Sequence, residues 1–155
     1  TVDEVKAYFV KYESELRKQI QQRTYKLHPV LRVEIPKTNG GIRLLGIPTV
    51  VDRVIQQAIA QVIGPIFDKQ FSEYSYEFRP HKRAEMAIQQ ALEGYQWIVD
   101  IDLERFFDTV NHDRLMNLVS NTIKDGEVIS LIRKYLVSGI QIDDEFIESS
   151  IGTPQ

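Results

Sequence analysis

The chain contains no cysteine, one tryptophan and two methionines among its 155 residues. The absence of cysteine excludes disulfide bonds and cysteine-ligated zinc sites, and it agrees with the reducing environment of the cytoplasm. The sequence also lacks any run of about 18 uncharged apolar residues and shows no signal-peptide layout at its N-terminus. We therefore expect no membrane-spanning segment, no secretion and no membrane partner.

The net charge of −3 conceals an uneven distribution of charged residues. Residues 17–53 contain eight Lys and Arg against two Asp and Glu, whereas residues 92–148 contain five basic and twelve acidic residues. Such segregation is typical of a protein that binds phosphates on one side and cations on the other, although two solvated surfaces explain it equally well. With 43% hydrophobic residues, the chain is long enough for one globular domain with a sizeable core.

The spacing of apolar residues predicts five helices and two hairpins in an α+β arrangement. The predicted helices cover residues 3–20, 49–63 (capped by Thr49 or Asp52), 83–92, 113–123 and 128–136. The predicted hairpins pair residues 32–36 with 42–47 and residues 140–142 with 146–148. Gly64-Pro65 is expected to end the second helix, and Asp113 is expected to cap the fourth.

Two acids, Asp100 and Asp102, interrupt a segment that otherwise has the composition of a buried strand. Side chains alternate across a strand, so the two acids are predicted to share one face while Val99, Ile101 and Leu103 face the core. An acid in such a strand needs a partner, and a metal ion is the obvious one. A strand-edge carboxylate that is merely solvated remains the alternative.

Four further segments accompany these acids: Arg32–Lys37, Gly46–Ile59, Ser75–Pro80 and Gly152–Gln155. Together with the Asp-x-x-x-Phe-Phe-Asp pattern that begins at Asp102, they resemble the reverse transcriptase of mobile group II introns, also called the intron-encoded maturase. The sequence departs from this family at Leu31 and Glu77, where family members often have Arg and Gly.

The resemblance implies the right-hand polymerase architecture of the reverse transcriptase type, with fingers over residues 1–93 and a partial palm over residues 94–155. The family's second palm carboxylate pair, in a Tyr-Ala-Asp-Asp turn, does not occur in the sequence. We therefore expect a segment truncated before that motif and inactive by itself. The start at Thr1 and the end inside a motif also suit a trimmed chain.

The resemblance assigns the metal site to Asp102, the catalytic residue, and to the backbone carbonyl of Leu103, with Mg²⁺ or Mn²⁺ as the cofactor. Asp100 is expected to support this site indirectly or only to hold the strand in place. Asp108 is expected to be a structural hydrogen-bonding residue.

The resemblance also implies nucleotide contacts. Phe107 is expected to lie beneath the incoming sugar and to exclude a ribose 2′-hydroxyl, while Phe106 packs in the core because consecutive strand residues cannot both face the site. Gln155 is expected near the template–nucleotide pair. Lys37 and Arg43 are expected to bind the triphosphate, although charges at a hairpin tip are usually only solvated.

Arg32, Arg53 and Arg79 are the expected contacts to RNA and template, with a solvated helix face as the alternative for Arg53. The three histidines, His28, His81 and His112, share no metal-ligand spacing and are interpreted as loop or cap residues.

The implied function is an RNA-directed DNA polymerase, a nucleotidyltransferase that uses an RNA template, a DNA primer and dNTP. Its expected setting is the cytoplasm of a bacterium, in a ribonucleoprotein with intron RNA, and a homodimer is compatible with the family. Two alternatives stay open. One is an RNA-binding maturase that acts as a splicing factor, and the other is a bacterial reverse transcriptase of the retron or defence type.

Overall fold

The computed structural model describes residues 3–38, 40–94 and 97–153. The chain forms two compact units, the first comprising residues 1–59 with 105–155 and the second comprising residues 60–104. Within the described ranges, every helix is too short or too polar to span a bilayer.

Six helices occur in the described residues, and five of them lie where the apolar periodicity predicts a helix. Their bounds are α1 (Val5–Gln21), α2 (Val50–Asp68), α3 (Ala84–Leu92), α4 (Phe106–Thr109), α5 (His112–Thr122) and α6 (Gly126–Leu136). The short helix α4 was not predicted, because its sequence was interpreted as the end of a strand.

The cap of α5 differs from the prediction. The side chain of Asn111 accepts a hydrogen bond from the backbone N–H of Arg114 at 2.9 Å, so Asn111 caps this helix. The expected cap, Asp113, lies inside the first turn and instead forms an ion pair with Arg133 at 2.8 Å. Asn111 and Asp113 are both residue types that commonly cap helices, and the sequence alone does not show at which of them the backbone becomes helical.

A four-stranded sheet in the first unit has the strand order β2-β1-β3-β4. Its strands are β1 (Val30–Pro36), β2 (Ile42–Ile47), β3 (Ile140–Ile142) and β4 (Glu145–Ile147). β1 pairs antiparallel with β2, and β3 pairs antiparallel with β4, so both predicted hairpins are confirmed. β1 also pairs in parallel with β3, with Val30 opposite Ile140, and this long-range pairing was not predicted.

The core of the first unit packs α1, the first part of α2 and α6 around the loop that follows α1. Its buried residues are Leu16, Tyr25, Ile55 and Leu131, with Phe9, Ile20, Leu27, Val51, Ile59 and Tyr135 packed against them. Each helix contributes one apolar stripe, and the stripes bury one another. The start of α2 is therefore held firmly in the first unit.

The last part of α2 belongs to the second unit, and it ends later than predicted. The helix continues through Pro65 to Asp68 instead of ending at Gly64-Pro65. Proline removes the hydrogen bond to the carbonyl four residues earlier, which here belongs to Gln61. Gln61 and Pro65 are both exposed, so water can satisfy that carbonyl and the helix tolerates the proline.

The predicted strand around Asp100 does not form. Residues 97–103 have no regular secondary structure, and the residues expected to face the core are exposed, with Val99 at 83% and Ile101 at 80%. A strand needs a neighbour to accept and donate its backbone hydrogen bonds, and no described residue pairs with this segment. The alternation of the sequence is a preference that only a pairing partner can convert into a strand.

Candidate active site

The predicted metal ligand Asp102 lies in the second unit, in the irregular segment 97–103. Asp100 and Asp102 are exposed, and Leu103 is 65% exposed. Carboxylate and carbonyl oxygens are the ligands that Mg²⁺ prefers, so these residues have suitable donor chemistry. Across residues 3–38, 40–94 and 97–153, however, no three His, Cys, Asp or Glu residues group closely enough to hold a metal ion. The metal roles of Asp102 and Leu103 therefore stay predictions.

The chain turns sharply at Arg105, where residues 105–155 of the first unit begin. Arg105 has a φ of +51°, in the left-handed region, and its carbonyl accepts hydrogen bonds from the backbone N–H groups of Asp108 and Thr109 at 3.1 Å. The Arg105 side chain also pairs with the Asp108 carboxylate at 3.3 Å. Asp108 therefore has the structural role expected of it, within the helical turn α4.

The two aromatic residues of α4 are both partly exposed. Phe107 is 43% exposed and Phe106 is 52% exposed, and their rings lie edge to face with centroids 5.6 Å apart. The expectation that Phe106 packs in the core is wrong, because the strand alternation on which it depended does not apply to a helical turn. The exposed Phe107 ring is available to a ligand, and its sugar contact stays a prediction.

The segment Ile151–Thr153 packs directly against α4 and the residues after it. The backbone N–H of Thr153 donates to the carbonyl of Phe107, and that of Gly152 donates to the carbonyl of Val110, both at 2.8 Å. The imidazole Nε2 of His112 lies 2.6 Å from the carbonyl oxygen of Gly152. Gln155 itself is outside the described residues.

The buried, hydrogen-bonded position of His112 was not predicted from the sequence. The interpretation as a loop or cap residue is wrong, because His112 is the first residue of α5 and Asn111 is the cap. His112 is only 5% exposed and its ring is hydrogen-bonded. The one signal in the sequence is its position directly before an amphipathic helix, where a side chain can turn back toward the preceding loop.

The basic hairpin β1–β2 presents Lys37 and Arg43 near its turn. Both side chains are exposed, and neither forms an ion pair within the described residues. The turn is closed by hydrogen bonds from Lys37 N–H to the Gly41 carbonyl at 2.7 Å and from Gly40 N–H to the Lys37 carbonyl at 3.1 Å. Asn39, the remaining residue of the predicted turn, is outside the described residues.

Arg32 and Arg43 lie on opposite faces of the sheet. Arg43 is opposite Ile35 in the register, and side chains alternate along β1, so Arg32 faces the other way. The Nε atom of Arg32 is buried and has no hydrogen-bond partner among the described residues. These two arginines therefore cannot grip the same phosphate from one side of the sheet.

Next to the exposed Arg53, the buried Asp52 organises the start of α2. Asp52 is 1% exposed, and its carboxylate accepts hydrogen bonds from the Tyr25 hydroxyl at 2.7 Å and the Thr49 hydroxyl at 2.6 Å. Thr49 in turn accepts from the backbone N–H of Asp52 at 3.2 Å, which makes Thr49 the cap of the helix. The negative charge of Asp52 also lies in the first turn of α2, where the helix dipole stabilises it.

Two tyrosines, the buried Tyr25 and the partly buried Tyr135, complete this network. Burial, followed by the hydrogen bond to Asp52, raises the pKa of Tyr25 well above its ordinary value near 10. Burial and then the negative charge of Asp52 likewise raise the pKa of Tyr135, whose hydroxyl donates to the backbone carbonyl of Asp52 at 2.7 Å. The network joins the loop after α1, the start of α2 and the end of α6.

Arg79, in the second unit, holds together the loop after α2. Its guanidinium donates to the carboxylate of Asp68 at 2.7 Å and to the backbone carbonyls of Asp68, Ser72 and Ser75. Its side chain is 10% exposed. The structure thus gives Arg79 a loop-organising role that the sequence did not indicate, and its RNA contact stays a prediction.

The sequence of the chain matches a known family and resembles several known proteins. Residues 35–155 match the family described as reverse transcriptase (RNA-dependent DNA polymerase). The chain is 33% identical to a COX1/OXI3 intron 2 protein of Saccharomyces cerevisiae over 150 residues, and this alignment covers 94% of the chain and 18% of that protein. It is 34% identical to the group II intron-encoded protein LtrA of Lactococcus lactis subsp. cremoris over 150 residues, and this alignment covers 92% of the chain and 25% of LtrA.

A solved structure agrees with this match. A chain of a partial Cas6-RT-Cas1–Cas2 complex superposes with a TM-score of 0.58 at 26% sequence identity, covering 95% of the present chain and 26% of the other. The present chain therefore spans about a quarter or less of the lengths of these similar proteins. Because the family match covers most of its residues, the chain belongs to the reverse transcriptase family, and its relatives include group II intron-encoded proteins.

Proposed function

We propose that the chain is part of an RNA-directed DNA polymerase of the group II intron type, which extends a DNA primer along an RNA template with dNTP. The observation that carries this proposal is the family match over residues 35–155, which contains Asp102 in the Asp-x-x-x-Phe-Phe-Asp pattern. Residues 1–93 form the fingers and residues 94–155 form part of the palm. Because the chain spans only a fraction of its relatives, the remaining palm carboxylates come from a longer protein.

The proposed metal ligands are the carboxylate of Asp102 and the backbone carbonyl of Leu103. Reverse transcriptases use divalent metal ions, and the oxygen donors of these two residues suit Mg²⁺ or Mn²⁺. The bound ions would stabilise the charge that develops on the phosphate oxygens during nucleotide addition. Since Asp102 is exposed, it is accessible to an ion and to substrate phosphates.

The proposed nucleotide contacts are Lys37, Arg43, Phe107 and Gln155. Lys37 and Arg43 are exposed and lack ion pairs within the described residues, so their charges are free for phosphate oxygens. Phe107 offers an exposed ring that can exclude a 2′-hydroxyl by its bulk.

The proposed RNA contacts are Arg32, Arg53 and Arg79, within a chain whose residues 17–53 are strongly basic. The chain acts in a ribonucleoprotein with intron RNA, in the cytoplasm of a bacterium.

The test is primer extension by the full-length protein that contains this chain, with wild type compared to Asp102→Asn. The substitution removes a metal ligand at nearly constant volume, so we expect DNA synthesis to fall by at least about 10³-fold, as for other groups that stabilise a transition state. RNA binding, measured in parallel, should remain within about threefold of wild type, because the substitution leaves the basic residues unchanged.

The matched control is Asp144→Asn, which makes the same change of charge in the exposed turn between β3 and β4. This control should extend primers normally. Near-normal synthesis by Asp102→Asn would contradict the metal assignment. A wild-type protein that binds intron RNA tightly and promotes splicing without any DNA synthesis would instead identify a maturase.

A further inference from the structure

Helix α4, which carries Phe107, has too few residues to hold its own position. It contains 4 residues, whereas isolated helices shorter than about 12 residues are marginal in water. Both of its phenylalanines are partly exposed, so packing restrains it weakly. The hydrogen bonds made by its flanking residues must therefore fix where the Phe107 ring stands.

On one side of α4, the carbonyl of Arg105 accepts two backbone hydrogen bonds from within the turn. On the other side, the restraint comes from a segment distant in sequence. Thr153 donates to the carbonyl of Phe107 and Gly152 donates to the carbonyl of Val110. The first of these bonds ties Thr153 to the backbone of the aromatic residue itself, and the second ties Gly152 to the residue that follows α4.

His112 holds the segment Ile151–Thr153 in place through a hydrogen bond to Gly152. A carbonyl oxygen can only accept, so the 2.6 Å contact requires that Nε2 of His112 carries the proton and donates to Gly152. The ring is 5% exposed and belongs to the first residue of α5, whose start is fixed by the Asn111 cap. The donor therefore has a defined position on a rigid element.

Gly152 provides a second, independent sign that the segment Ile151–Thr153 lies close to the backbone of α4. Its φ is +81°, a conformation that side chains rarely adopt, and a Cβ at this position would lie 2.7 Å from the carbonyl oxygen of Asp108. Only glycine allows the two backbones to approach this far. We call the hydrogen bonds of His112, Gly152 and Thr153 with this region the His112 clamp.

We propose that His112 is a positioning residue that controls the choice between deoxyribonucleotides and ribonucleotides. It acts through Gly152 and Thr153, which fix the backbone carbonyl of Phe107 and hence the ring that excludes the 2′-hydroxyl. An excluding ring is effective only if it cannot move aside, so loosening the clamp admits ribose. This inference rests on the proposed polymerase function and on Phe107 as the sugar contact.

The test uses the full-length protein and measures the ratio of rNTP to dNTP incorporation in primer extension. His112→Leu removes the donor, and we expect the ratio to rise by about tenfold, the effect of losing one hydrogen bond. His112→Gln places an amide N–H near the original Nε2 position, and it should keep the ratio within about threefold of wild type. Gly152→Ala adds a Cβ that pushes the segment Ile151–Thr153 away from α4, so it should also raise the ratio.

Two controls separate positioning from simple loss of stability. Asp125→Ala removes the side chain that caps α6, away from the clamp but in the same unit, and it should leave the ratio unchanged. Combining His112→Leu with Phe107→Val should raise the ratio no further than Phe107→Val alone, because both act through one ring. If His112→Leu does not fold, Gly152→Ala and its combination with Phe107→Val decide the matter in the same way.

The outcomes distinguish this inference from the proposed function. A wild-type protein without DNA synthesis overturns the polymerase proposal and this inference with it. A wild-type protein that synthesises DNA, while folded His112→Leu and Gly152→Ala keep the wild-type ratio, overturns the clamp alone. Hydrogen exchange of the peptide containing Thr153 gives a reading independent of activity: protection should be lost in His112→Leu and retained in His112→Gln. Retained protection in both overturns the clamp as well.

Discussion

Replacing Asp52 should destabilise the first unit more than any surface substitution. Its carboxylate is 1% exposed and accepts two short hydrogen bonds, from the hydroxyls of Tyr25 and Thr49. Asp52→Ala leaves the buried Tyr25 hydroxyl without its acceptor and removes a favourable charge from the first turn of α2. The carboxylate joins the loop after α1 to the start of α2, and the hydroxyl of Tyr135 joins α6 to the backbone carbonyl of Asp52, so the effect should reach the whole unit.

The size of the effect follows from these contacts. A hydrogen bond to a charged group contributes about 1.5–3 kcal/mol, and removing one partner from a buried charged network costs about 3–5 kcal/mol. We therefore expect Asp52→Ala to lower the free energy of unfolding by about 3–5 kcal/mol and Tyr25→Phe to lower it by about 1.5–3 kcal/mol. Because the two groups bond each other, the double variant should lose about 1–3 kcal/mol less than the sum.

Urea unfolding followed by circular dichroism at 222 nm measures these free energies, provided that the dependence on urea concentration keeps its slope. Asp144→Ala, an acid in the exposed β3–β4 turn, is the matched control and should stay within about 0.5 kcal/mol of wild type. A loss below about 1 kcal/mol for Asp52→Ala, or strict additivity in the double variant, would refute the reasoning.

Three further predictions follow from the site. Phe107→Val in the full-length protein should raise the ratio of rNTP to dNTP incorporation, because it removes the bulk that excludes the 2′-hydroxyl. Replacing both Lys37 and Arg43 by Gln should raise the apparent KM for dNTP about tenfold or more while weakening RNA binding less, since each charged hydrogen bond to phosphate contributes about 1.5–3 kcal/mol. Folding stability should fall as the pH rises above about 10, because Tyr25 stays neutral in the folded chain while it ionises in the unfolded chain.

Each of these predictions has a contradicting result. An unchanged nucleotide ratio in folded Phe107→Val would make that ring a packing residue. Equal losses of dNTP affinity and RNA binding would make Lys37 and Arg43 general RNA contacts. For the alkaline prediction, stability is complete below the unfolded pKa near 10 and is lost as pH rises toward the higher folded pKa, so Tyr25→Phe should show a weaker decline than wild type. An identical decline in both would contradict the assignment.

Local patterns in the sequence determined most of the secondary structure. The stripes of α1 and α6 and the turn residues of both hairpins act over a few neighbouring residues, so their elements could be predicted without knowledge of distant contacts. The polymerase family was also visible in the order of the motifs, and the match over residues 35–155 confirms it.

Contacts between distant residues decided the rest. The pairing of β1 with β3, the burial of Asp52 beneath Tyr25 and the bond between His112 and Gly152 all join segments that no local pattern connects. The same reason explains the wrong predictions. Residues 98–103 have the alternation of a strand but no pairing partner among the described residues. Helix α2 continues through Pro65 because Pro65 and Gln61, whose carbonyl loses its hydrogen bond, are both exposed. Local preference sets which conformations a segment can adopt, and only tertiary hydrogen bonds and burial select one of them.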